Sequence, residues 1–359
     1  MELFDASGAA TRLRASPLTS IGPAEPGPAL RRGFLLAIPI GLALVAELGF
    51  DSPTKGAIAT GALLAGFPGM DAPAKVRAAW QAAVAPLVGI MATIGILSGA
   101  SPWLAVPTMA LVGAAAGYCY AVSLRFSIAG LSVALSLLIA QGLPLDSGDA
   151  AAAFVLTTAG GLLQALWSLL VYAAGDRDEE GGERAWSTAG AIAALRSNLT
   201  LGSVAARHGI RFGSALAAGV ATYWAIGMED HGFWIPLTIL FVLRPEREET
   251  DRRLVLRAVG TAIGLALATA LSFWLQDSPI ALALVLTAAA GFSYGLLTVQ
   301  YALFTAAITV FAVIMADTLG DRALSAAGQR GGATLLGIVI AGAAFVLWSN
   351  PRQLEAETA

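Results

Sequence analysis

The chain has 359 residues, of which 57% are hydrophobic and only 13% are charged, about half the charged share of a typical soluble domain. The net charge of −3 argues against nucleic-acid binding, and the single cysteine excludes a disulfide framework or a multi-cysteine metal cluster. Two histidines are too few for a His-rich metal site. The composition therefore predicts an all-α integral membrane protein without a metal or another cofactor.

The N-terminal tail, residues 1–29, is polar and rich in Pro, Gly and Ala, which predicts a disordered cytoplasmic segment. A helix needs roughly 20 residues to cross about 30 Å of hydrocarbon. On that scale, six apolar runs predict membrane spans near Gly33–Gly49, Gly56–Phe67, Ala78–Leu97, Trp103–Tyr120, Phe126–Ile139 and Ala150–Ala174.

A polar linker, residues 176–207, follows these spans and includes a predicted surface helix around Trp186–Leu201. The chain is thus divided into a first six-helix repeat at residues 30–175, a second at 208–349 and a cytoplasmic tail at 350–359, with about twelve transmembrane helices in all. The spans of the second repeat are predicted near Phe212–Ile226, Phe233–Leu243, Ala258–Leu275, Ile280–Tyr294, Tyr301–Met315 and Gly332–Trp348.

Basic residues are distributed very unevenly between the two sides of this arrangement. With both termini in the cytoplasm, eighteen of the 21 basic residues lie on the cytoplasmic side, and Lys55, Arg322 and Arg330 lie outside. This distribution follows the positive-inside rule. It predicts a multi-pass protein of the inner (plasma) membrane with both termini in the cytoplasm.

The two halves are similar to each other at a nearly constant offset of 177–178 residues. Because each half has an even number of predicted spans, both halves face the same way in the membrane. A pseudo-two-fold axis along the membrane normal is expected, which is the parallel class of transporter repeat. The matched pairs include Gly41 with Gly219, Pro68 with Pro245, Ser101-Pro102 with Ser278-Pro279, Gly113 with Gly291 and Gly117 with Gly295.

The second span of each half is short. Phe233–Leu243 has eleven residues and contains Pro236, and its counterpart Gly56–Phe67 contains three glycines. Paired short spans interrupted by Gly or Pro point to the binding site of a transporter. The alternative is that they are tilted packing helices in a locally thinned bilayer.

Three arginines follow the short span of the second half. Arg253 and Arg257 are i,i+4 neighbours on one helix face at the predicted cytoplasmic mouth, and Arg244 lies close to the same level. Guanidinium groups pair with carboxylates through two parallel hydrogen bonds, so these residues could hold an anionic headgroup. The alternative is that they are topology signals that contact lipid phosphates. Arg77, in the first half, is predicted to tolerate replacement by lysine.

This segment carries a motif that resembles the signature of the fusaric acid resistance (FUSC-like) family, which belongs with the aromatic acid exporters. The resemblance implies an inner-membrane exporter, or a permeable path, for small organic and often aromatic carboxylates. Two departures are evident, since many members have a large soluble domain where this chain has a short linker, and the first half lacks the motif. The motif consists of Trp234-Ile-Pro-Leu-Thr238, Arg244-Pro245, Thr250, Arg253, Arg257 and Gly260-Thr261-x-x-Gly264, in which Pro236, Thr238, Pro245, Thr250, Gly260, Thr261 and Gly264 are the predicted structural members.

The predicted substrate site combines these arginines with aromatic side chains at the other end of the short span. Phe233 and Trp234 are expected to form an aromatic wall with Arg244 below it, and His231 lies at the outer end. Glu47, at the outer end of the first span, is the candidate for proton coupling. Alternatively, Glu47 simply reaches the outer interface near Asp51.

Three function classes follow from these features. The leading one is a transporter that exports small organic, aromatic carboxylates, with coupling to protons. A passive organic-anion channel would need the arginines but no protonatable carboxylate, and a membrane-embedded lipid-modifying enzyme is less favoured because the close acidic pairs lack supporting ligands. The predicted partners are a small organic anion, the lipid bilayer, and a periplasmic adaptor or a second copy of the chain, without nucleic acid and without enzymatic activity.

Overall fold

The computed structural model describes residues 26–49, 52, 54–174, 187–228, 232–275, 277–318 and 323–347. Within these ranges every regular element is helical, including one 3-10 turn at Cys119–Ala121. The α-helices are α1 (Pro26–Glu47), α2 (Ala57–Gly66), α3 (Ala74–Gly99), α4 (Pro102–Tyr118), α5 (Leu124–Gln141), α6 (Ala150–Ala173), α7 (Thr188–Ser197), α8 (Val204–Ala225), α9 (Trp234–Val242), α10 (Arg247–Leu275), α11 (Pro279–Leu296), α12 (Tyr301–Thr318) and α13 (Ala323–Leu347).

The predicted all-helical, multi-pass class is confirmed. Each predicted span coincides with a helix, and α7 lies in the linker, where a surface helix was expected. Among the described residues, eight helices are long and apolar enough to cross a membrane. The helices α2 and α9 are short, at 10 and 9 residues, so the exact number of crossings stays a prediction.

Helix starts follow from local sequence. Ser101 and Ser278 each precede a proline and cap α4 and α11, because their hydroxyls accept hydrogen bonds from the backbone of Trp103 and Ala281. Serine at the N-cap and proline in the first turn together favour a helix start. The same sequence pair therefore starts the equivalent helix in each half.

Two close helix pairs join the first half of the chain to the second. Helix α4 packs on α8, and α1 packs on α11. A Cβ atom placed on Gly113 would lie 3.1 Å from Cα of Gly213, and one on Gly33 would lie 2.6 Å from the backbone nitrogen of Gly295. Small residues let the backbones approach this closely, as is usual between helices in lipid.

Candidate functional site

Two cavities lie next to each other inside the helix bundle. The first, the Arg330 cavity, has a volume of about 160 Å³, and the second, the Arg244 cavity, has a volume of about 520 Å³. Both are lined by Phe67, Leu135 and Phe241, and no other described residue is common to the two linings. These three side chains, here called the septum, separate the cavities.

The Arg330 cavity lies between the two short helices. Helix α2 contributes Ala57 and Thr60, α9 contributes Trp234 and Leu237, and residues of α3, α5, α6, α12 and α13 complete the walls. Its described lining is mostly apolar and contains two cations, Lys55 and Arg330, but no carboxylate.

Arg330 is fully buried, with 0% of its surface exposed. None of its three guanidinium nitrogens has a hydrogen-bond acceptor, and the guanidinium carbon lies 5.3 Å from the ring centre of Trp234. Sequence reasoning missed this residue and placed it outside, because its charge interrupts the apolar run. Helix α13 begins at Ala323, seven residues earlier than Arg330.

A signal for Arg330 is present in the sequence. Thr334 and Gly337 follow it by four and seven residues, a spacing that puts all three on one helix face. Thr334 is 2% exposed, and Gly337 packs on Ile235 and Thr238 of α9. The face of α13 that carries Arg330 is therefore the face that packs against the short helix.

The Arg244 cavity has mixed charge. Arg244, Arg252 and Arg253 line it, but so do Glu246, Glu248 and Glu249, together with His208, Tyr120 and Tyr301. The Nε atom of Arg253 donates to Oε1 of Glu249 at 2.6 Å, and its guanidinium lies 4.5 Å from the ring centre of Tyr301. Arg253 is thus already engaged by a carboxylate and a ring.

The Arg244–Thr250 loop explains two structural members of the motif. The Thr250 hydroxyl accepts from the backbone nitrogen of Arg244 at 3.0 Å and lies 2.9 Å from the carbonyl oxygen of Glu246, to which it donates. Arg211 of α8 donates to the carbonyl oxygens of Arg244 and Pro245 at 2.7 and 3.1 Å. These bonds fix the turn that presents the Arg244 side chain.

Arg244 itself is half-buried at the edge of its cavity. Desolvation lowers the pKa of Arg244 to about 9, and the positive charge of Arg253 lowers it further in the same direction. An anion bound beside Arg244 would oppose both effects, because it favours the charged guanidinium.

Arg257 lies one helical turn after Arg253 and is fully buried. Its guanidinium lies 5.1 Å from the ring centre of Phe241, a septum residue, and its three nitrogens have no hydrogen-bond acceptor of suitable geometry. The Tyr301 side chain is nevertheless close enough to act as its hydrogen-bonding and electrostatic partner, and Arg330 places a second positive charge nearby. Arg257 therefore lies between the arginines of the two cavities.

The aromatic wall and Arg244 are not adjacent. Phe233 and Trp234 line the Arg330 cavity, whereas Arg244 lines the other one. Ten residues of mostly helical chain separate Trp234 from Arg244, about 15 Å at 1.5 Å per residue. Arg244 therefore lies at the other end of the short helix from the wall and in a different cavity, and the guanidinium next to the Trp234 ring belongs to Arg330.

The other motif residues pack helices together. A Cβ atom on Gly264 would lie 2.6 Å from the carbonyl oxygen of Ala306, and one on Gly260 would collide with that of Ala302, so both glycines let α10 approach α12. The Thr238 hydroxyl donates to the carbonyl oxygen of Trp234 at 3.1 Å. Pro236 packs on Gly219, and Thr261 is buried.

Glu47 caps a helix. Its two carboxylate oxygens accept from the backbone nitrogens of Ile58 and Ala59 at 2.9 and 3.3 Å, at the start of α2. A carboxylate at a helix N-terminus complements unpaired N–H groups and the positive end of the helix dipole.

His231 lies outside the described residues. Among those described, no cluster of three or more His, Cys, Asp or Glu could hold a metal ion.

Comparison with known proteins identifies the second half of the chain. Residues 215–344 match the family model described as fusaric acid resistance protein-like. The chain is 34% identical over 172 residues to inner membrane protein YccS of Escherichia coli, an alignment that spans 46% of this chain and 23% of that protein. No solved structure matches.

Two further relatives match part of the chain. An uncharacterized protein of Synechocystis, slr1298, is 34% identical over 34% of this chain and 16% of its own length. An uncharacterized protein of Neisseria gonorrhoeae, ORF2, is 28% identical over 46% of this chain and 39% of its own. The chain thus spans less than half the length of each relative. The resemblance read from the Trp234–Gly264 motif is confirmed, since the motif lies within residues 215–344, which match the fusaric acid resistance protein-like family model in a multi-pass membrane protein.

Proposed function

We propose that the protein transports small organic anions along a route formed by the Arg244 cavity, the septum and the Arg330 cavity. The observation that carries this proposal is a cavity between the short helices that adjoins a second, larger cavity, with the unpaired buried guanidinium group of Arg330 in its lining. Ionisable residues inside a membrane protein are costly and mark ion or substrate pathways. The sign of these charges makes an anion the favoured substrate.

The internal repeat is part of the same proposal, and the lining of the Arg330 cavity supports it. Many residues of this lining come in pairs that are separated by 177 positions, one from each half. Such pairing is expected if the cavity lies on a pseudo-two-fold axis, where parallel transporter repeats place their binding site. The pairs are Gly56 with Phe233, Ala57 with Trp234, Thr60 with Leu237, Leu64 with Phe241, Leu135 with Ala312 and Ile139 with Ala316.

The helix packing has the same symmetry. Exchanging the halves turns the pair α4–α8 into the pair α11–α1, and both pairs are close contacts. The same exchange relates the pair α3–α6 to α10–α13, and the pair α2–α6 to α9–α13. All four of these helix pairs are in contact. Two similar halves joined in this way would provide an interface that can open alternately to the two sides of the membrane.

Aromatic carboxylates are the proposed substrate class. Phe233 and Trp234 supply an apolar face for a ring, and the arginines supply partners for the carboxylate. The relative in Escherichia coli is named an inner membrane protein, which supports placing this chain in the inner membrane. A passive organic-anion channel is the second candidate, favoured because the Glu47 carboxylate is occupied by backbone donors.

The test is efflux from proteoliposomes that contain the purified chain. Benzenesulfonate is the probe because it stays ionised and does not cross lipid as a neutral acid, and methanesulfonate is the control with the same headgroup and no ring. We expect protein-dependent efflux of benzenesulfonate in preference to methanesulfonate. Efflux equal to that of empty liposomes would contradict the proposal.

The same assay distinguishes the mechanisms and the residues. Efflux that accelerates with an imposed pH gradient indicates proton coupling, whereas a response to membrane potential alone indicates a channel. Arg244→Ala is expected to abolish efflux, and Trp234→Ala to reduce the preference for the ring. Normal efflux by the Arg244→Ala protein would place the entry of the route elsewhere.

A further inference from the structure

We infer that Arg330 is the anion-binding residue of the cavity between the short helices, which takes a small organic monoanion with a body about the size of one ring. This inference rests on the proposed function and assigns the binding step of the route to a residue outside the motif. Its ligand would lie with the charged group at Arg330 and the apolar body against Trp234 and the walls of α2 and α9.

The strongest evidence is a contrast among the buried arginines. Arg77 donates to the carbonyl oxygen of Ala72 and to Ser168, and Arg211 donates to two carbonyl oxygens of the Arg244 loop. These arginines have structural partners. Arg330 is equally buried, yet the described part of the chain offers its guanidinium no acceptor.

A buried charge without a partner is expensive, because removing an ion from water costs several kcal/mol even after relaxation. The Trp234 ring offsets part of this cost through a cation–π contact. Arg257, the neighbouring charge, has the same sign and increases the cost. The site is thus short of one negative charge, which an anion in the cavity would supply.

The cavity has the size and polarity for such an anion. Its volume is about 160 Å³, and an apolar cavity of roughly 150 Å³ in another protein accommodates benzene. Its walls are mostly apolar, and Lys55 adds a second positive charge without any carboxylate in the described lining. A monoanion with a ring-sized body satisfies both the charge and the space, whereas a bare inorganic ion would leave the apolar walls unfilled.

The test measures ligand binding to the purified full chain by thermal unfolding. The probes are benzoate, its neutral isostere benzamide, and chloride. Benzoate is expected to raise the unfolding midpoint with concentration, since a ligand bound only by the folded state stabilises it. Benzamide and chloride are expected to raise it less. No benzoate shift in the wild-type chain, or a chloride shift as large as that of benzoate, would overturn the inference.

The decisive variant is Arg330→Gln, with Arg196→Gln on the exposed face of α7 as the matched control. The affinity for benzoate should fall about tenfold or more in Arg330→Gln, because a charge-assisted pair is lost, and should stay at the wild-type value in Arg196→Gln. Without ligand, Arg330→Gln should unfold at the wild-type temperature or above it, because an uncompensated buried charge is removed. A lower midpoint would reveal a structural partner and overturn the inference.

Arg330→Lys provides a second variant that keeps the charge, and it should bind benzoate with intermediate affinity. Failures of the two proposals are distinguishable. Benzoate binding through Arg330 without any efflux of benzenesulfonate would overturn the transport proposal alone. Wild-type affinity and wild-type efflux in Arg330→Gln would overturn the Arg330 site alone.

Discussion

At the scale of single residues, the buried arginines have different roles that depend on whether an acceptor faces them. Arg77 and Arg211 donate to backbone carbonyls, and Arg253 pairs with Glu249. Arg257 lies beside Phe241 and the Tyr301 side chain, and Arg330 has no acceptor among the described residues. The first set holds loops and helices together, and the last two are the arginines of the proposed route.

Arg257 yields the first prediction. Arg257→Lys keeps the positive charge but loses the planar guanidinium group, which can bind an anion through two parallel hydrogen bonds. Efflux of benzenesulfonate should therefore fall about tenfold. The chain should still insert and fold, because lysine keeps the positive charge beside Tyr301. Arg247→Lys, on the exposed side of the same helix, is the control and should retain efflux. Equal losses in both variants would indicate a topology role instead.

Arg77 does not serve as that control. Its side chain is only 2% exposed and donates to the carbonyl oxygen of Ala72 at 3.1 Å. Lysine would have to reproduce this contact from a single nitrogen, in a site that also holds Ser168. The expectation of tolerance, made from the sequence, ignored the tertiary partners.

Glu47 yields the second prediction. In Glu47→Gln the amide nitrogen cannot accept a hydrogen bond, so one backbone donor of α2 is left without its partner, at a cost of about 1–3 kcal/mol. We expect a lower unfolding midpoint and an unchanged response of efflux to the pH gradient. The same change at exposed Glu248 should leave the midpoint near the wild-type value. Loss of the pH response at an unchanged midpoint would instead identify Glu47 as a proton carrier.

At the scale of elements, the septum is the place where the two cavities of the proposed route meet. The ring of Phe67 lies 4.8 Å from that of Tyr294, and the ring of Phe241 lies 5.7 Å from that of Phe304. Both septum rings are therefore held edge-on by neighbouring rings. Phe67 directly follows the short helix α2, and Phe241 lies in the last turn of α9. Movement of either helix would therefore open or close the connection between the two cavities.

The third prediction concerns this septum. Phe67→Ala should join the two cavities and raise the passive leak of benzenesulfonate several-fold in the absence of any gradient of protons. Phe311→Ala removes the same ring from the wall of the Arg330 cavity only, and it carries a similar packing cost of about 3–5 kcal/mol. A leak in both variants, or in neither, would contradict a gate at the septum.

The elements also show what the sequence could and could not predict. Apolar runs and the Ser-Pro starts placed the helices, because span length and capping are local properties. The pairing of Arg253 with Glu249 was also predictable, since a carboxylate four residues before an arginine shares its helix face. The lack of an acceptor for the Arg330 guanidinium could not be predicted from the sequence. It depends on which backbone carbonyl groups the neighbouring helices place near that side chain.

At the scale of the whole molecule, hydrogen bonds connect the loops that the charge distribution assigns to one side. Arg125 pairs with Asp71 at 3.0 Å, and the Tyr120 hydroxyl donates to Glu246 at 2.7 Å. The Tyr118 hydroxyl donates to a carbonyl of the linker helix α7. All of these residues lie in or next to loops that are predicted to face the cytoplasm.

The opposite end of the bundle has its own set of contacts. Glu47, at the end of α1, binds the start of α2, and Thr93 near the end of α3 donates to the carbonyl oxygen of Ala150 at the start of α6. Gly142, after α5, packs on Phe233 before α9. Each of these loops is predicted to face outward. These contacts agree with the prediction that the two groups of loops lie at opposite ends of the bundle.

Some of the basic residues counted for the predicted orientation are buried. Leaving them out reduces the excess on the cytoplasmic side but does not reverse it. Arg77, Arg211, Arg253 and Arg257 are buried, which leaves fourteen of the eighteen cytoplasmic basic residues as topology signals. Arg330 is also buried, which leaves two of the three on the other side. An excess of this size still favours the predicted orientation.

The fourth prediction tests this orientation with reporter fusions in intact cells. Fusions at Ser187 and after Ala359 should give fluorescent green fluorescent protein and inactive alkaline phosphatase, because both sites are predicted to be cytoplasmic. A fusion at Leu145, between α5 and α6, should give the opposite pair. Ser187 outside the cell would mean an odd number of crossings in the first half, which would make the repeats antiparallel. In that case the paired lining of the Arg330 cavity could not arise from an axis along the membrane normal, and the Arg244 cavity would have to be reassigned to the outer face.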